Sequence, residues 1–185
     1  MTLNQAGDAP QVQRESLLGA LWRQRRTALT IWLRFGLALG VLMLVSIWAR
    51  PFTDDTLPAW LAVLSAGALR LMGVDATAIG TAVQSSIGTM TIIRECTAVY
   101  PTTIYCAAVL AHPSPWGRRL LGVVVGVLAL QAVNIVRLLS LLYIAGRWPS
   151  IFEMAHLVAW QALIVLCAIL FWIVWVSELA GTKKP

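Results

Sequence analysis

Apolar positions along this chain fall into long unbroken runs, not into the spaced stripes of a helix lying on a soluble core. Residues 30–48 form the first run, closed by Arg50-Pro51 and the polar Thr53-Asp54-Asp55. Residues 119–145 and 154–176 form two more, and residues 97–111 form a shorter one that stops at His112-Pro113-Ser114-Pro115. A spanning helix takes about 20 apolar residues, because ~1.5 Å of rise per residue must cross a ~30 Å hydrocarbon core. The pattern predicts four transmembrane helices, the second short and beginning above the bilayer.

Between the first two spans the pattern changes twice. Residues 57–72 stay apolar but are short for a crossing and include Arg70. They suit a helix at the interface with Trp60 at headgroup level, either resting on the membrane or dipping into it. Across residues 74–95 helical periodicity lapses into Gly, Thr, Ser and β-branched residues, which predicts a short extended or hairpin segment outside the membrane. The expected fold class is an all-α polytopic membrane protein of about four transmembrane helices, with an interfacial helix and a short extended extracytoplasmic segment.

Composition agrees with this picture. The chain has 185 residues, 59% apolar and only 12% charged, and a mean hydropathy of +0.78. That leaves too little polar surface to coat a soluble globule. A net charge of +6 would suggest nucleic acid in a soluble chain, but here the basic residues flank the spans. Arg14, Arg23, Arg25 and Arg26, then Arg118-Arg119, then Lys183-Lys184 all face the cytoplasm if both termini are inside. A fifth span at 57–72 would put one of these clusters outside. Nucleic acid is therefore not an expected partner, and a multi-pass protein of the inner (plasma) membrane is. Residues 1–28 read as a cytoplasmic basic extension, 29–177 as the transmembrane domain and 178–185 as a cytoplasmic tail. The first apolar run is too long for a signal-peptide core and lacks a small-residue cleavage site, so it reads as a retained anchor.

In this topology three reactive side chains reach one depth. Cys96 lies at the outer end of the second span and His156 in the first turn of the fourth. Arg137 stands about 27 Å above Arg119 along the third, near the same outer surface. A thiol is a modest nucleophile at its reference pKa of about 8.5, and a nearby cation or imidazole activates it. An Arg beside the pair can hold the thiolate or the oxyanion formed when a carbonyl is attacked. Gln131, Asn134 and Arg137 share one helix face, a stripe costly against lipid and expected to face inward. Each residue also has a plainer reading: Cys96 as packing, Arg137 as a snorkelling cation, His156 as an interfacial residue.

The other candidates fall away from this cluster. Cys106 and Cys167 read as packing residues within spans, and His112 lies at the cytoplasmic end of its span. Arg34 faces the inner headgroups. With three cysteines there is no disulfide framework and at least one free thiol. No His, Cys or carboxylate pair has zinc-like spacing and no phosphate-cradling Gly loop occurs, so neither metal nor cofactor is expected.

Glu95-Cys96-Thr97-Ala98, then Ala132-Val133-Asn134-Ile135-Val136-Arg137, then His156 resemble the exosortase/archaeosortase family, in particular compact members such as the exosortase H type. The resemblance covers roughly residues 31–176. Ala98 departs from it, since relatives often carry Gly there. The resemblance implies a membrane cysteine endopeptidase/transpeptidase with Cys96, Arg137 and His156 catalytic and Asn134 supporting. Its implied partners are exported proteins bearing a C-terminal motif, an apolar helix and a basic tail, together with an acceptor nucleophile or water. Two other classes fit parts of the pattern. One is a small transporter or channel with an Arg/Asn/His path. The other is a non-catalytic assembly subunit using Gly36/Gly40 and Gly122/Gly126 for helix packing.

Overall fold

The computed structural model describes the backbone of residues 9–179 and the side chains of residues 22–178. The Arg14 side chain, Lys183 and Lys184 lie outside these limits. Helix α1 runs over Ala9–Trp48 and is followed by a π turn, Phe52–Thr56. Helix α2, Leu57–Leu71, carries Pro58 in its first turn, where the missing N–H has no helical partner to lose.

Strands β1 (Ala76–Ile79), β2 (Ala82–Ser85) and β3 (Gly88–Thr91) follow as an antiparallel meander. Gly80 adopts φ 59° at the turn from β1 to β2, a conformation that a Cβ would penalise. The extended segment expected from the sequence is thus a three-stranded sheet. Its alternating side chains give it an apolar face that a lone hairpin could not bury as well.

That face and α2 form one core. Leu61, Ala62, Ala66 and Leu69 of α2 pack with Ala76, Val83 and Ile92 against Leu138 and Leu142. Cys96 belongs to the same cluster. Helix α2 is therefore fixed on its inner side by the sheet, while Trp60, Val63 and Leu64 remain exposed.

Helix α3 covers Val99–Ala111 and helix α4 covers Trp116–Arg147. The final helical stretch is continuous but irregular: α5 (Phe152–Met154), a π turn at Ala155–Ala159, α6 (Trp160–Val174) and a last π turn at Trp175–Leu179. Among the described residues three helices are long and apolar enough to cross a membrane: Trp22–Trp48, Trp116–Arg147 and Pro149–Glu178. The 13 residues of α3 rise only about 20 Å, less than a full hydrocarbon core. The expected second span is thus present as a helix but is short of a crossing by length.

The bundle is locked by two aromatic rings set against glycines. Tyr105, Val109, Leu130, Ala168 and Trp175 form the buried cluster between α3, α4 and α6, with Cys106 and Cys167 packed at its margin. A Cβ at Gly126 would strike the Tyr105 ring and one at Gly122 the Trp175 ring. The Tyr105 hydroxyl donates to the Gly122 carbonyl at 2.9 Å. The Gly122/Gly126 pair therefore serves packing within this chain, whereas a Cβ at Gly36 or Gly40 would meet nothing within 4 Å.

This contrast is testable by thermal unfolding in detergent. Gly126→Ala should cost about 1–3 kcal/mol by overpacking. Gly36→Ala should be neutral or raise stability by up to about 1 kcal/mol through helix propensity. Equal effects of the two would contradict the packing described.

Candidate active site

The site is built around a break in the chain between sheet and bundle. After Ile92 the backbone enters a 3-10 turn, Arg94–Thr97, and then Ala98 takes φ 55°, ψ 24° before α3 begins. Within the turn the Cys96 amide donates to the Ile93 carbonyl at 2.8 Å and the Thr97 hydroxyl to the Arg94 carbonyl at 2.6 Å. Outside it, Arg94 contacts Asp54 at 3.4 Å with its guanidinium 5.6 Å over the Tyr100 ring.

Ala98 is the one non-glycine residue with positive φ among the described residues. This left-handed conformation costs an L-residue roughly 1–2 kcal/mol. The departure from the resemblance noted in the sequence is thus one of side chain, with the backbone in a glycine-like conformation. Alanine, the smallest chiral residue, adds the least to that cost.

The end of a helical turn leaves carbonyls short of donors, and α4 supplies them. Gln131 Nε2 donates to the Thr97 carbonyl at 3.1 Å, Asn134 Nδ2 to the Cys96 carbonyl at 2.9 Å, and Arg137 Nη1 to the Glu95 carbonyl at 3.5 Å. Three side chains spaced by three on one helix face thus engage three successive carbonyls. Asn134 is 0% and Arg137 2% exposed. Arg137 Nε and Asn134 Oδ1 are also buried and lack a hydrogen-bond partner among the described residues.

His156 comes from the π turn Ala155–Ala159, an irregularity that rotates side chains relative to a regular helix. Phe152 stacks on its ring, 5.7 Å between centroids and 21° between planes. Its Nε2 stands 3.7 Å from Cys96 Sγ, and Cys96 is 5% exposed. At that separation an imidazole can take a proton from a thiol.

The four residues singled out in the sequence are therefore in one place: Cys96 beside His156, with Asn134 and Arg137 holding the backbone on either side of the thiol. The remaining candidates lie elsewhere. His112 sits at the far end of α3, edge-on to Trp175 with ring centroids 5.4 Å apart. Burial, and secondarily the Arg119 charge, pushes its pKa below the ordinary histidine value. Cys106 and Cys167 are free thiols within the bundle. Among the described residues no three His, Cys, Asp or Glu side chains converge as a metal site.

Sequence reasoning found the polar stripe on α4 but not what it binds. Gln131 was legible as a member of that stripe and its carbonyl partner was not, because the 3-10 turn has no periodic signature. The Phe152 stack and the π turn likewise leave no mark that separates them from an ordinary apolar helix.

The backbone at Ala98 supplies a direct test. Ala98→Gly should raise stability by up to about 1 kcal/mol, whereas Ala98→Val, β-branched at positive φ, should lower it by more than that. Thermal unfolding of both variants checks this, and a destabilised Gly variant would contradict the left-handed assignment.

The family model described as transmembrane exosortase matches residues 16–174. No curated protein and no solved structure matches the chain significantly. The matched region takes in the 94–97 turn, the polar face of α4 and His156. On a match of that extent, the chain belongs to the transmembrane exosortase family.

Proposed function

We propose that this chain is a membrane cysteine endopeptidase/transpeptidase that processes exported proteins carrying a C-terminal motif, an apolar helix and a basic tail. The observation that carries the reading is the 3.7 Å approach of Cys96 Sγ to His156 Nε2, on a turn held by Asn134 and Arg137. Family membership supports a membrane sorting or processing enzyme; the substrate signal and the residue roles are our assignment.

In this mechanism His156 accepts the thiol proton as Cys96 Sγ attacks the carbonyl carbon of the motif's peptide bond. The developing oxyanion is stabilised by the Arg137 guanidinium, whose Nε has no other partner among the described residues. On collapse the C–N bond breaks and the imidazolium returns its proton to the leaving amine. The acyl-thioester is then resolved by an acceptor amine or by water, with His156 again taking the proton of the attacking group. Asn134 acts through the Cys96 carbonyl and so positions the thiol.

The orientation follows from charge. Of the described acidic residues, Asp54, Asp55, Asp75, Glu95 and Glu153 gather toward the Cys96 end, while Glu178 lies with Arg118 and Arg119 at the opposite end of α3. By the positive-inside rule we assign the Cys96 end to the extracytoplasmic face of the inner membrane, with both termini cytoplasmic and α3 completing a fourth crossing. Residues 1–28 and 178–185 are then cytoplasmic, and 29–177 form the catalytic domain. A substrate helix anchored inside by its basic tail presents its motif at the depth of the thiol.

Cys96→Ala should abolish processing of a co-expressed substrate, read as mobility of the product on a gel, while the protein stays inserted and abundant. His156→Ala and Arg137→Ala should lower it by about 100-fold or more. Normal processing by Cys96→Ala would remove the catalytic claim. For topology, Gln84→Cys on β2 should react with an impermeant maleimide from outside, and Gly117→Cys only after permeabilisation. The reverse pattern would invert the proposed orientation.

A further inference from the structure

Away from the thiol, α1 and α6 each pack along α3 and leave a cleft between them. It has a volume of about 480 Å³ and an almost wholly apolar lining that includes Phe35 of α1, Ala108 of α3 and Trp172 of α6. Its floor on α3 extends from Pro101 to Ala111. At ~1.5 Å per residue that is about 15 Å, the depth of one leaflet of a ~30 Å core. A transmembrane helix needs about twice that length, so the cleft fits an acyl chain and not a complete spanning segment.

The end remote from Cys96 is polar and unneutralised. Ala111 leads directly into His112 and Ser114, and Arg119 follows in the first turn of α4. His112 Nδ1, Ser114 Oγ and Arg119 Nε are all buried without a hydrogen-bond partner among the described residues, and Ser114 is only 9% exposed. The Arg119 guanidinium lies 4.9 Å over the Trp116 ring, and Trp116 is itself exposed, as suits headgroup level. Glu178 lies in the last turn of the final helix, yet no salt bridge joins it to Arg118 or Arg119. Two cations, Arg118 and Arg119, thus stand without a carboxylate partner among the described residues, next to orphaned donors at one end of an apolar cleft. Basic sites between transmembrane helices commonly hold anionic lipid headgroups.

We propose that this cleft binds an anionic phospholipid of the leaflet on the Arg118–Arg119 side. The acyl chain lies along Ala108 and Trp172, and the phosphate sits at the His112–Arg119 turn. The site is separate from Cys96, and the inference does not depend on the proposed catalysis. Charge complementarity at the turn and the one-leaflet depth together select a lipid with a negative headgroup.

The test uses the full chain, delipidated in detergent and titrated with phosphatidylglycerol or phosphatidylcholine of identical acyl chains. Retention by native mass spectrometry and the shift in Tm are both read, since a ligand that binds only the folded state raises Tm. Phosphatidylglycerol should bind about tenfold more tightly than phosphatidylcholine, the difference of one charge-assisted contact. Arg119→Gln should remove that preference, and Ser114→Ala, a milder change for folding, should reduce it. Ala108→Trp should fill the cleft and weaken both lipids. Equal binding of the two lipids by the parent would overturn the proposal, as would a preference that survives both Arg119→Gln and Ser114→Ala. Inorganic phosphate that reproduces the phosphatidylglycerol shift would indicate a free-anion site and would also overturn it.

Discussion

The structure depends on a mutual satisfaction of polar groups between α4 and the turn that carries Cys96. A membrane helix with Gln131, Asn134 and Arg137 on one face cannot present that stripe to lipid. A non-helical turn flanking a short helix cannot leave its carbonyls there either. Each unmet requirement supplies the partner of the other: the three side chains donate to the carbonyls of Thr97, Cys96 and Glu95. Any shift of the turn along α4 would break several of these bonds together. The thiol is consequently held by backbone contacts on both sides of its own residue, and the sulfur itself meets His156.

The rest of the fold is arranged to keep that contact in register. The α2 and sheet layer packs Leu61, Val83 and Ile92 against Leu138 and Leu142 of α4, directly after Arg137 and in the turn that follows. On the opposite side the Tyr105 and Trp175 rings seat on Gly126 and Gly122, which fixes how α3 and the final helix lie on α4. Helix α4 thus carries three successive contacts along its length: glycines for the bundle, the polar stripe for the turn, and leucines for the cap. The final helix then needs only its π turn and the Phe152 stack to aim His156 at the thiol.

Much of this was legible in the sequence, and the limits of legibility have physical causes. Long apolar runs mark membrane helices because lipid demands them, so α4 and the final helix were visible within a few residues of their ends, and α1 at its end but not at its start, which lies back at Ala9 in polar sequence. Cys96, Arg137 and His156 were visible because polar side chains in such runs are conspicuous. The three-stranded sheet was foreseen only as a short extended or hairpin segment, since four-residue strands such as Ala76–Ile79 are too short to show how many of them pair. The left-handed conformation of Ala98 was hidden altogether. It is imposed by the requirement that the chain reverse from the 94–97 turn into α3 while its carbonyls face α4, and alanine itself has no preference for it. Tertiary demands of that kind leave no local signature.

The length of α4 gives the site its depth. Its 32 residues extend about 48 Å, well beyond a ~30 Å hydrocarbon core, and Arg137 stands ten residues before its end at Arg147. Close to 15 Å of helix therefore continues past the site. That distal portion is covered, because a Cβ at Gly146 would strike the Ile87 carbonyl in the turn between β2 and β3. Short α3 and long α4 together place the thiol below the cap instead of at the tip of the bundle. Cys96 is recessed, 5% exposed, so under the proposed chemistry both a peptide and water would have to enter between helices or beneath the cap to reach its sulfur. Under the proposed chemistry this geometry favours an acceptor delivered with its substrate over casual hydrolysis, since exclusion of water protects an acyl-thioester once it has formed.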